Sequence, residues 1–499
     1  MPSEQLSYIP RSSKYQRLKA LLSKDWAMLL DSGIKNQQTA QKANSYRRYD
    51  ICVCAPSVQL TVVQKSTRIL RKQKQAENSS KDPLILMREI LDEYAPEESS
   101  VDDSIPALPF NGGWLGYISY DFGQLLQHKA LKKLASQETI DDLKVPLIRM
   151  GLYQWAIISD HKNKTSIMYN FGLPKDQWEQ LKLEVIPLLA TPELTNPDAL
   201  SESLISTDTA IEKPSLIAPF ESNLNYNGYA KSFQKIQDYI LAGDCYQVNF
   251  AQRFTANFTG CSFDFYTILA KENNSPFSAY LNFSDQQILS LSPERFIESH
   301  QGEIITQPIK GTLPRDTDPE KDKMLAEKLA HSEKDKAENL MIVDLLRNDL
   351  SKTAAKGSVK VTELFGLYHF ESVHHLISTV KSTLDKKYDN FDLLATTLPG
   401  GSITGAPKIR AMQIIDELES VPRGIYCGVI GYIDFKGNMD TNICIRTLIA
   451  DKNTLYCWAG GGLVADSKLD SEYQETFDKL NKILPVLNNT INKQTRADE

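Results

Sequence analysis

The chain has 499 residues, and its 63 acidic against 56 basic side chains give a formal net charge of −7. A hydrophobic fraction of 41% with 24% charged residues is ordinary for a folded globular protein, and the acidic balance argues against nucleic-acid binding driven by positive charge. The seven cysteines and seven histidines are scattered without a CxxC or HxxxH pair, which argues against a disulfide scaffold or a zinc module. With no signal peptide and no apolar run of 18 residues, we expect a cytoplasmic protein without a membrane span.

The first half of the chain predicts mixed strands and helices. Residues 50–64 predict two strands around a Pro-Ser turn, and the glycine-interrupted apolar stretch 109–123 predicts closely packed strands. Residues 191–225 are rich in Pro, Ser, Thr and Asp and lose periodicity, which is typical of a connector between an N-terminal region, 1–190, and a second region.

The second region, 226–488, predicts strands that follow one another directly. These predicted strands span 246–254, 277–283, 288–291, 303–308, 428–434, 441–449 and 454–458. Helices are predicted from Ser332 through Leu350, from Lys408 to Leu418 and from Glu472 to Leu487, before a polar tail, 489–499. Because strand and helix do not alternate regularly, we predict an α+β fold with large antiparallel sheets.

Three glutamates on predicted helices are candidate metal ligands. Glu338 lies in a helix that is apolar nearly all round, so its carboxylate needs a cationic partner or a metal; the segment alone favours a partner arginine or a partly hydrated helix start. Glu472 and Glu475 are neighbours on one helix face, but a helix-capping role and an i,i+4 pair with Lys479 explain them better as surface residues. A metal bound by such carboxylates would be a hard one.

Two glycine-rich segments and two isolated charges are the other candidates. Residues 400–408 lead into a helix without the ending of a Walker loop, and residues 460–462 end a strand, so both could offer backbone amides to an anion. Lys310 stands between a strand and a glycine turn and could be a nucleophile if a closed pocket lowered its pKa, and Glu294 could be a general acid. Taken singly, both are better explained as solvated turn residues.

In their residues and in their order along the chain, these segments resemble those of the chorismate-utilising enzymes. The matching segments are Pro-Ile-Lys-Gly-Thr at 308–312, the helix segment 338–350, Gly-Ser-Ile-Thr-Gly-Ala-Pro-Lys at 401–408, Gly-Gly-Gly-Leu-Val-Ala-Asp at 460–466 and Glu-Tyr-Gln-Glu at 472–475. The resemblance is densest over 229–482 and looser in the N-terminal half, where 1–190 is similar to the corresponding region of anthranilate synthase component I. It implies large, orthogonally packed antiparallel sheets flanked by helices, with 226–488 as the chorismate-binding catalytic domain.

The resemblance also implies a role for each candidate residue. Glu338 and Glu475, with Glu472 beside them, would bind Mg²⁺, and Glu294 would be the general acid that protonates the departing hydroxyl. The positions around chorismate would be His375, Ser402, Tyr426, Arg446, Gly460, Gly461, Gly462 and Lys479. Lys310 distinguishes the branches of the family, because anthranilate synthases have Ala there and aminodeoxychorismate synthases have Lys. Isochorismate-type enzymes have a water-activating Lys where this chain has Gln247.

The implied activity is amination of chorismate to 4-amino-4-deoxychorismate, on the route to para-aminobenzoate and folate, through a covalent lysine intermediate. No Cys-His-Glu glutaminase constellation can be assembled from this sequence, so ammonia would come from a separate glutamine amidotransferase subunit (component II). Ser32, Pro276 and Phe277 fall in segments that form a tryptophan pocket in relatives. Two alternatives stay open, namely anthranilate synthase component I and a non-catalytic tryptophan-binding subunit.

Overall fold

The computed structural model describes residues 2–34, 48–97, 108–127, 142–189, 213–370 and 373–491. Within these ranges, no helix combines the length and the apolar character that a membrane crossing requires. The elements are numbered below in chain order.

Strands predominate in the described part of the chain. The strands before the second region are β1 (Ser3–Leu6), β2 (Ala27–Asp31), β3 (Tyr49–Val53), β4 (Val58–Val63), β5 (Ser66–Arg71), β6 (Glu77–Ser79), β7 (Gly113–Ile118), β8 (Ile148–Tyr153), β9 (Trp155–Asp160), β10 (Thr165–Asn170), β11 (Ser215–Leu216) and β12 (Glu221–Ser222). The later strands are β13 (Gln247–Thr259), β14 (Phe277–Asn282), β15 (Gln286–Ser292), β16 (Arg295–His300), β17 (Glu303–Thr306), β18 (Ile309–Pro314), β19 (Lys360–His369), β20 (Val373–Thr383), β21 (Gly405–Ala406), β22 (Val429–Asp434), β23 (Met439–Ile443), β24 (Thr447–Asp451) and β25 (Thr454–Leu463).

Helices lie between these strands. They are α1 (Lys14–Leu22), α2 (Pro83–Tyr94), α3 (Tyr120–Gln127), α4 (Lys175–Leu189), α5 (Tyr226–Leu241), α6 (Ser262–Asn273), α7 (Pro319–Ala330), α8 (Glu333–Ser351), α9 (Asn390–Thr397), α10 (Lys408–Leu418), α11 (Leu469–Asp478) and α12 (Leu484–Asn488). A 3-10 turn, Gly401–Ile403, precedes β21.

The strands form two large antiparallel sheets. Among the described residues, the first sheet has the order β1-β10-β9-β3-β2-β14-β15-β24-β25-β13-β11, with β12 and β21 also paired to β13. The second has the order β18-β20-β17-β16-β23-β22-β7-β8-β4-β5-β6, with β19 also paired to β20. The predicted α+β class, with large antiparallel sheets flanked by helices, is confirmed.

Both sheets mix strands from the two regions of the sequence. In the first sheet β2 pairs with β14, and in the second β7 pairs with β22 along its whole length. Of the predicted connector 191–225, only residues from 213 onwards are described, and there β11 and β12 pair with β13. The N-terminal and second regions therefore share their sheets and the hydrophobic core between them.

Buried apolar side chains hold these layers together. One cluster contains side chains of both sheets, among them Met28, Trp114 and Ile430, together with residues of α2 and α9. A second packs helices such as α1, α4 and α6 on the first sheet, and a third packs α5 and α10 against β13. Each fully buried large apolar side chain contributes about 1.5–3 kcal/mol, so the helices are held mainly by such contacts.

Several predicted elements are confirmed with small shifts in their ends. Helix α8 begins at Glu333, where the Ser332 Oγ caps it by accepting the backbone N–H of Asp335 at 3.3 Å. Helix α10 spans the predicted residues 408–418. The two strands predicted within 50–64 are observed as β3 and β4.

Two predictions near the site were wrong. The strand predicted over 441–449 is broken into β23 and β24, with Arg446 in the left-handed region at φ 51°. The helix predicted over 472–487 is two helices, α11 and α12, and α11 begins at Leu469 with Lys468 as its N-cap. Ser471 therefore lies inside the helix and does not cap it, which changes the direction in which Glu472 points.

Candidate active site

The carboxylates of Glu472 and Glu475 meet at the end of β25. A Cβ placed on Gly461 would lie 3.4 Å from the Oε2 of Glu472 and 3.4 Å from the Oε1 of Glu475. Glu472 is only 5% exposed, so the interpretation of Glu472 as a surface residue was wrong: the earlier start of α11 turns it towards the sheet. Glu475 remains partly exposed and forms the predicted i,i+4 ion pair with Lys479 at 2.7 Å.

Glu338, on α8, lies close enough to Glu475 for the two charges to interact. Burial raises the pKa of Glu338 above its ordinary value, and the negative charge of Glu475 adds to this rise. Burial also raises the pKa of Glu472, although the Ser467 Oγ donates a hydrogen bond to its Oε1 at 2.6 Å and favours the ionised form. A cation placed among these carboxylates would relieve both the desolvation and the repulsion.

The fit to a metal ion can be judged from these donors. In the described ranges, no three His, Cys, Asp or Glu side chains converge closely enough to bind a metal by themselves. Mg²⁺ does not need such a cage, because it keeps several waters and binds through one or two carboxylates and the substrate. The carboxylate oxygens of Glu338, Glu472 and Glu475 are the donor type that suits such an ion.

Lys310 lies at an irregular point of β18. The pairing of β18 with β20 shifts register between Lys310 and Thr312, and Gly311 has φ +80°. The Lys310 Nζ donates to the Ser402 carbonyl at 3.4 Å and makes no ion pair with any described residue. Burial lowers the pKa of Lys310, the Lys479 charge lowers it further, and the Glu294 carboxylate opposes them.

Glu294 lies between β15 and β16 and is 8% exposed. Burial raises the pKa of Glu294 to about 7, against the opposing effects of Lys310 and the backbone N–H of Ile309. At neutral pH the carboxyl is therefore present in both protonation states. A protonated carboxyl facing an amine of lowered pKa is an acid and nucleophile pair.

Arg446 and His375 lie near each other among the candidate site residues. The Arg446 side chain makes no ion pair within the part of the chain that the structure describes, and burial lowers its pKa. His375, on β20, shares a hydrogen bond between its Nδ1 and the Thr312 Oγ1 at 2.8 Å. Burial, with the nearby Arg446 charge, lowers the pKa of His375 to about 4, so its imidazole is neutral at pH 7. A guanidinium without a counter-ion is suited to an anionic ligand.

Close packing explains two of the glycines of β25, Gly460 and Gly462. A Cβ on Gly460 would lie 2.3 Å from the Phe250 carbonyl oxygen, and one on Gly462 would lie 2.1 Å from the Gln247 Nε2. The Lys479 Nζ donates to the Gly460 carbonyl at 2.8 Å, which brings its positive charge to the strand end.

The two remaining predicted substrate-binding residues are buried. Ser402 lies in the 3-10 turn before β21. Tyr426 is stacked on Trp458, with ring centroids 6.3 Å apart and planes at 10°, and burial raises its pKa well above the ordinary value.

The residues predicted to form a tryptophan pocket lie where β2 ends and β14 begins, in the first sheet. The register of β2 with β14, in which Asp31 is opposite Ser278, places Ser32 beside Pro276 and Phe277. The Ser32 Oγ donates to the Asp50 Oδ1 at 2.7 Å. Residues 35–47, which follow Ser32, lie outside the described ranges. Tryptophan binding stays a prediction.

Sequence reasoning missed a group of polar residues beneath the site. Arg423 is 2% exposed and binds Glu419, and Asn249 on β13 contacts the turn that contains Ser402. The one available signal was that Arg423 is the sole charged residue between Val421 and Ile433, a segment that is otherwise apolar or small. Which carbonyls it binds could not be read from the sequence.

Comparison with known proteins shows which family this chain belongs to. Residues 42–485 match the family of chorismate binding enzymes. The chain is 42% identical over 482 residues to aminodeoxychorismate synthase component 1 of Klebsiella aerogenes, covering 97% of this chain and 98% of that protein. It is 44% identical over 462 residues to the protein of the same name in Escherichia coli K12, covering 93% of each. The crystal structure of anthranilate synthase component I from Streptococcus pneumoniae matches with a TM-score of 0.72 at 30% identity, covering 89% of this chain and 92% of that one.

The chain therefore belongs to the chorismate binding enzyme family, and the resemblance noted in the sequence is confirmed. Within that family it is similar to proteins named aminodeoxychorismate synthase component 1 and, at lower identity, to anthranilate synthase component 1.

Proposed function

We propose that this chain aminates chorismate to 4-amino-4-deoxychorismate, as the synthase component of an aminodeoxychorismate synthase. The observation that carries the proposal is the pair of Lys310 and Glu294, an amine of lowered pKa beside a carboxyl of raised pKa. The names of the relatives at 42% and 44% identity support the same activity.

The pair can reach its reactive form by one internal proton transfer. A proton that moves from the Lys310 ammonium to the Glu294 carboxylate leaves a neutral amine and a protonated acid together. Burial of both groups favours this neutral state, because desolvation penalises the two charges. The nucleophile and the acid are therefore prepared in the same step.

The reaction then follows two displacements. The Lys310 Nζ bonds to the ring carbon next to the one that bears the carboxylate, the ring double bonds shift, and the C4 hydroxyl leaves as water with the Glu294 proton. Ammonia then bonds to C4, the double bonds shift back, and the bond to Lys310 breaks. Glu294, now a carboxylate, can accept the proton that the incoming ammonia loses. The net reaction exchanges a hydroxyl for an amino group.

Three cationic or neutral groups would orient the substrate. Arg446, which has no acidic partner among the described residues, would bind a chorismate carboxylate, and the neutral His375 beside it would donate or accept one hydrogen bond. The Lys479 ammonium, next to the Gly460 carbonyl, would supply further positive charge. Chorismate carries two carboxylates, and these positive charges would make its pocket locally positive although the net charge of the chain is −7.

Glu338, Glu472 and Glu475 would hold Mg²⁺. A bound Mg²⁺ supplies charge that fixes a substrate carboxylate and stabilises negative charge near it. The nearby Gly460 carbonyl already accepts a hydrogen bond from Lys479.

Ammonia would come from a glutamine amidotransferase partner, the second component that the names of the relatives imply. The purified chain alone should therefore use ammonium and leave glutamine unreacted. Glutamine-dependent amination by the isolated chain would contradict a separate partner.

One assay tests the activity. The chain is incubated with chorismate, Mg²⁺ and ammonium, and products are separated by chromatography against standards and identified by mass. We expect 4-amino-4-deoxychorismate; anthranilate with release of pyruvate would identify an anthranilate synthase instead. No product from chorismate would favour a non-catalytic subunit.

The lysine intermediate has its own test. Without ammonium, the peptide that contains Lys310 should gain the mass of chorismate less one water. Lys310→Ala should lose this adduct and at least about 10³-fold in kcat. The control Lys387→Ala, at an exposed position, should keep both. A Lys310→Ala chain with an unchanged rate would exclude the covalent route.

We also propose tryptophan as a ligand of the pocket at Ser32, Pro276 and Phe277. Calorimetric titration of the chain with L-tryptophan should show one binding site that Phe277→Ala weakens. Absence of heat with the unaltered chain would reject this ligand.

A further inference from the structure

Three consecutive backbone carbonyls around Ser402 are bound by side chains or backbone from elsewhere. Asn249 donates twice, from its Nδ2 to the Ser402 oxygen at 3.4 Å and from its backbone N–H to the Thr404 oxygen at 2.8 Å. The Nη1 of Arg423 donates to the carbonyl between them, that of Ile403, at 2.9 Å. Asn249 and Arg423 therefore bind all three of these carbonyls.

The turn matters because its first carbonyl is the acceptor for Lys310. The distance from Lys310 Nζ to the Ser402 oxygen is 3.4 Å, and among the described residues this is the hydrogen bond that directs the amine. A displacement of the turn would move this acceptor and with it the direction of the lone pair that attacks.

Arg423 is built to hold several groups at once. Its Nε and Nη2 bind the two carboxylate oxygens of Glu419 at 2.8 and 2.7 Å, and Nη2 also donates to the Asn249 carbonyl at 2.6 Å. Glu419 in turn accepts the backbone N–H of Ala251 at 2.9 Å. Only a planar guanidinium offers this fixed fork of donors, which an ammonium group cannot reproduce.

The Arg423 guanidinium also lies near the rings of two tyrosines. It lies 5.7 Å from the ring centroid of Tyr426 and 4.7 Å from that of Tyr120. Since Glu419 neutralises its charge and it is 2% exposed, Arg423 is not available to bind a substrate carboxylate, in contrast to Arg446.

We propose that Arg423, held by Glu419, is a positioning residue that fixes the turn at the Ile403 carbonyl and thereby places the neighbouring Ser402 carbonyl that orients the Lys310 amine. This inference rests on the proposed function, because it assumes that Lys310 attacks the substrate. Arg423 would touch neither the substrate nor Lys310 and would affect the reaction through the turn that it binds. Displacements of about 1 Å in such supports can cost up to about 10²-fold in rate.

The test compares Arg423→Lys with Arg410→Lys, a control on α10 whose arginine binds Asp244 near the surface. For Arg423→Lys we expect kcat with ammonium to fall about 30-fold, while the Kd for chorismate, measured by calorimetry, stays within about threefold. Amide hydrogen exchange of residues 398–407 should be at least about tenfold faster. Arg410→Lys should change none of these.

A second variant removes both charges in case the single change impairs folding. In Arg423→Met with Glu419→Gln no buried carboxylate is left without a partner, and the same selective loss of kcat is expected. A kcat within twofold of the unaltered chain in either variant overturns the inference. So does an equal loss of chorismate affinity together with faster exchange throughout the molecule, since that indicates a general structural role. No aminated product from the unaltered chain would instead contradict the proposed function, and this inference with it.

Discussion

At the scale of single residues, burial of the Glu294 carboxyl affects both its role in catalysis and the stability of the fold. Burial raises its pKa from an ordinary 4.5 to about 7, so the folded state binds a proton that the unfolded state releases between these values. The free energy of unfolding is therefore unaffected below pH 4.5, and it falls by about 3 kcal/mol in total as the pH rises to about 7. Glu294→Gln should raise the thermal midpoint at pH 8 and leave it nearly unchanged at pH 4.5.

The same substitution should lower kcat by about 10²–10⁴-fold, because a glutamine cannot give a proton to the departing hydroxyl. The control Glu303→Gln, at an exposed position of β17, should change neither quantity. A midpoint that rises equally at both pH values would show that the gain is not electrostatic.

Arg446 allows a second prediction at this scale. Its guanidinium is desolvated and has no ion-pair partner in the described ranges, so Arg446→Met leaves no carboxylate unpaired. We expect the chorismate Kd to rise about 100-fold, the effect of losing a charged hydrogen-bond pair, with an unchanged or higher thermal midpoint. Calorimetry and thermal unfolding measure the two quantities.

Lys14→Met is the matched contrast. Lys14 is 1% exposed and binds Asp31 and Asp50, so among the described residues its removal leaves Asp31 without an ion-pair partner and Asp50 with His161 alone. It should lower stability by about 3–5 kcal/mol without affecting the chorismate site directly. A larger loss of stability in Arg446→Met than in Lys14→Met would show that Arg446 stabilises the fold and would contradict its role as a substrate-binding residue.

At the scale of elements, the end of β25 separates two reasons for a glycine. At Gly461 an added Cβ would meet only the flexible carboxylate ends of Glu472 and Glu475, at 3.4 Å each, whereas at Gly460 it would meet the Phe250 backbone at 2.3 Å. Gly461→Ala should therefore fold and bind Mg²⁺ about tenfold more weakly, and Gly460→Ala should lose stability. Titration with Mg²⁺ followed by calorimetry, together with thermal unfolding, distinguishes the two variants. Equal Mg²⁺ affinity in Gly461→Ala would place the metal elsewhere.

At the scale of the whole molecule, the two regions of the sequence are interleaved. β2 is held between β3 and β14, and β7 between β8 and β22, so neither sheet is complete without strands from both regions. A fragment of residues 213–499 would expose the unpaired edges of β14 and β22 and half of the core between the sheets.

We therefore predict that this fragment does not fold on its own. Its near-ultraviolet circular dichroism should lack the signals of packed aromatic residues, and its urea unfolding should not be cooperative, whereas the full chain should unfold cooperatively. A fragment with a sharp unfolding transition would show that 226–488 is an independent domain.

Local sequence patterns predicted the elements well where the relevant interactions are local. The cap at Ser332 and the proline at position 407 located the starts of α8 and α10, because helix caps and N-terminal prolines depend on neighbours within a few residues. The break at Arg446 and the start of α11 at Leu469 were missed, because both depend on packing against distant strands.

The sequence by itself determined the class of fold, the family and the identity of the candidate chemical groups, because short motifs and their order are properties of the sequence alone. Tertiary structure alone decided that Glu472 is buried, that Lys310 faces Glu294, and that Arg423 is neutralised while Arg446 is not. The physical reason is that a pKa or an ion pair depends on desolvation and on charges brought together from distant parts of the chain. No spacing along the sequence specifies those distances.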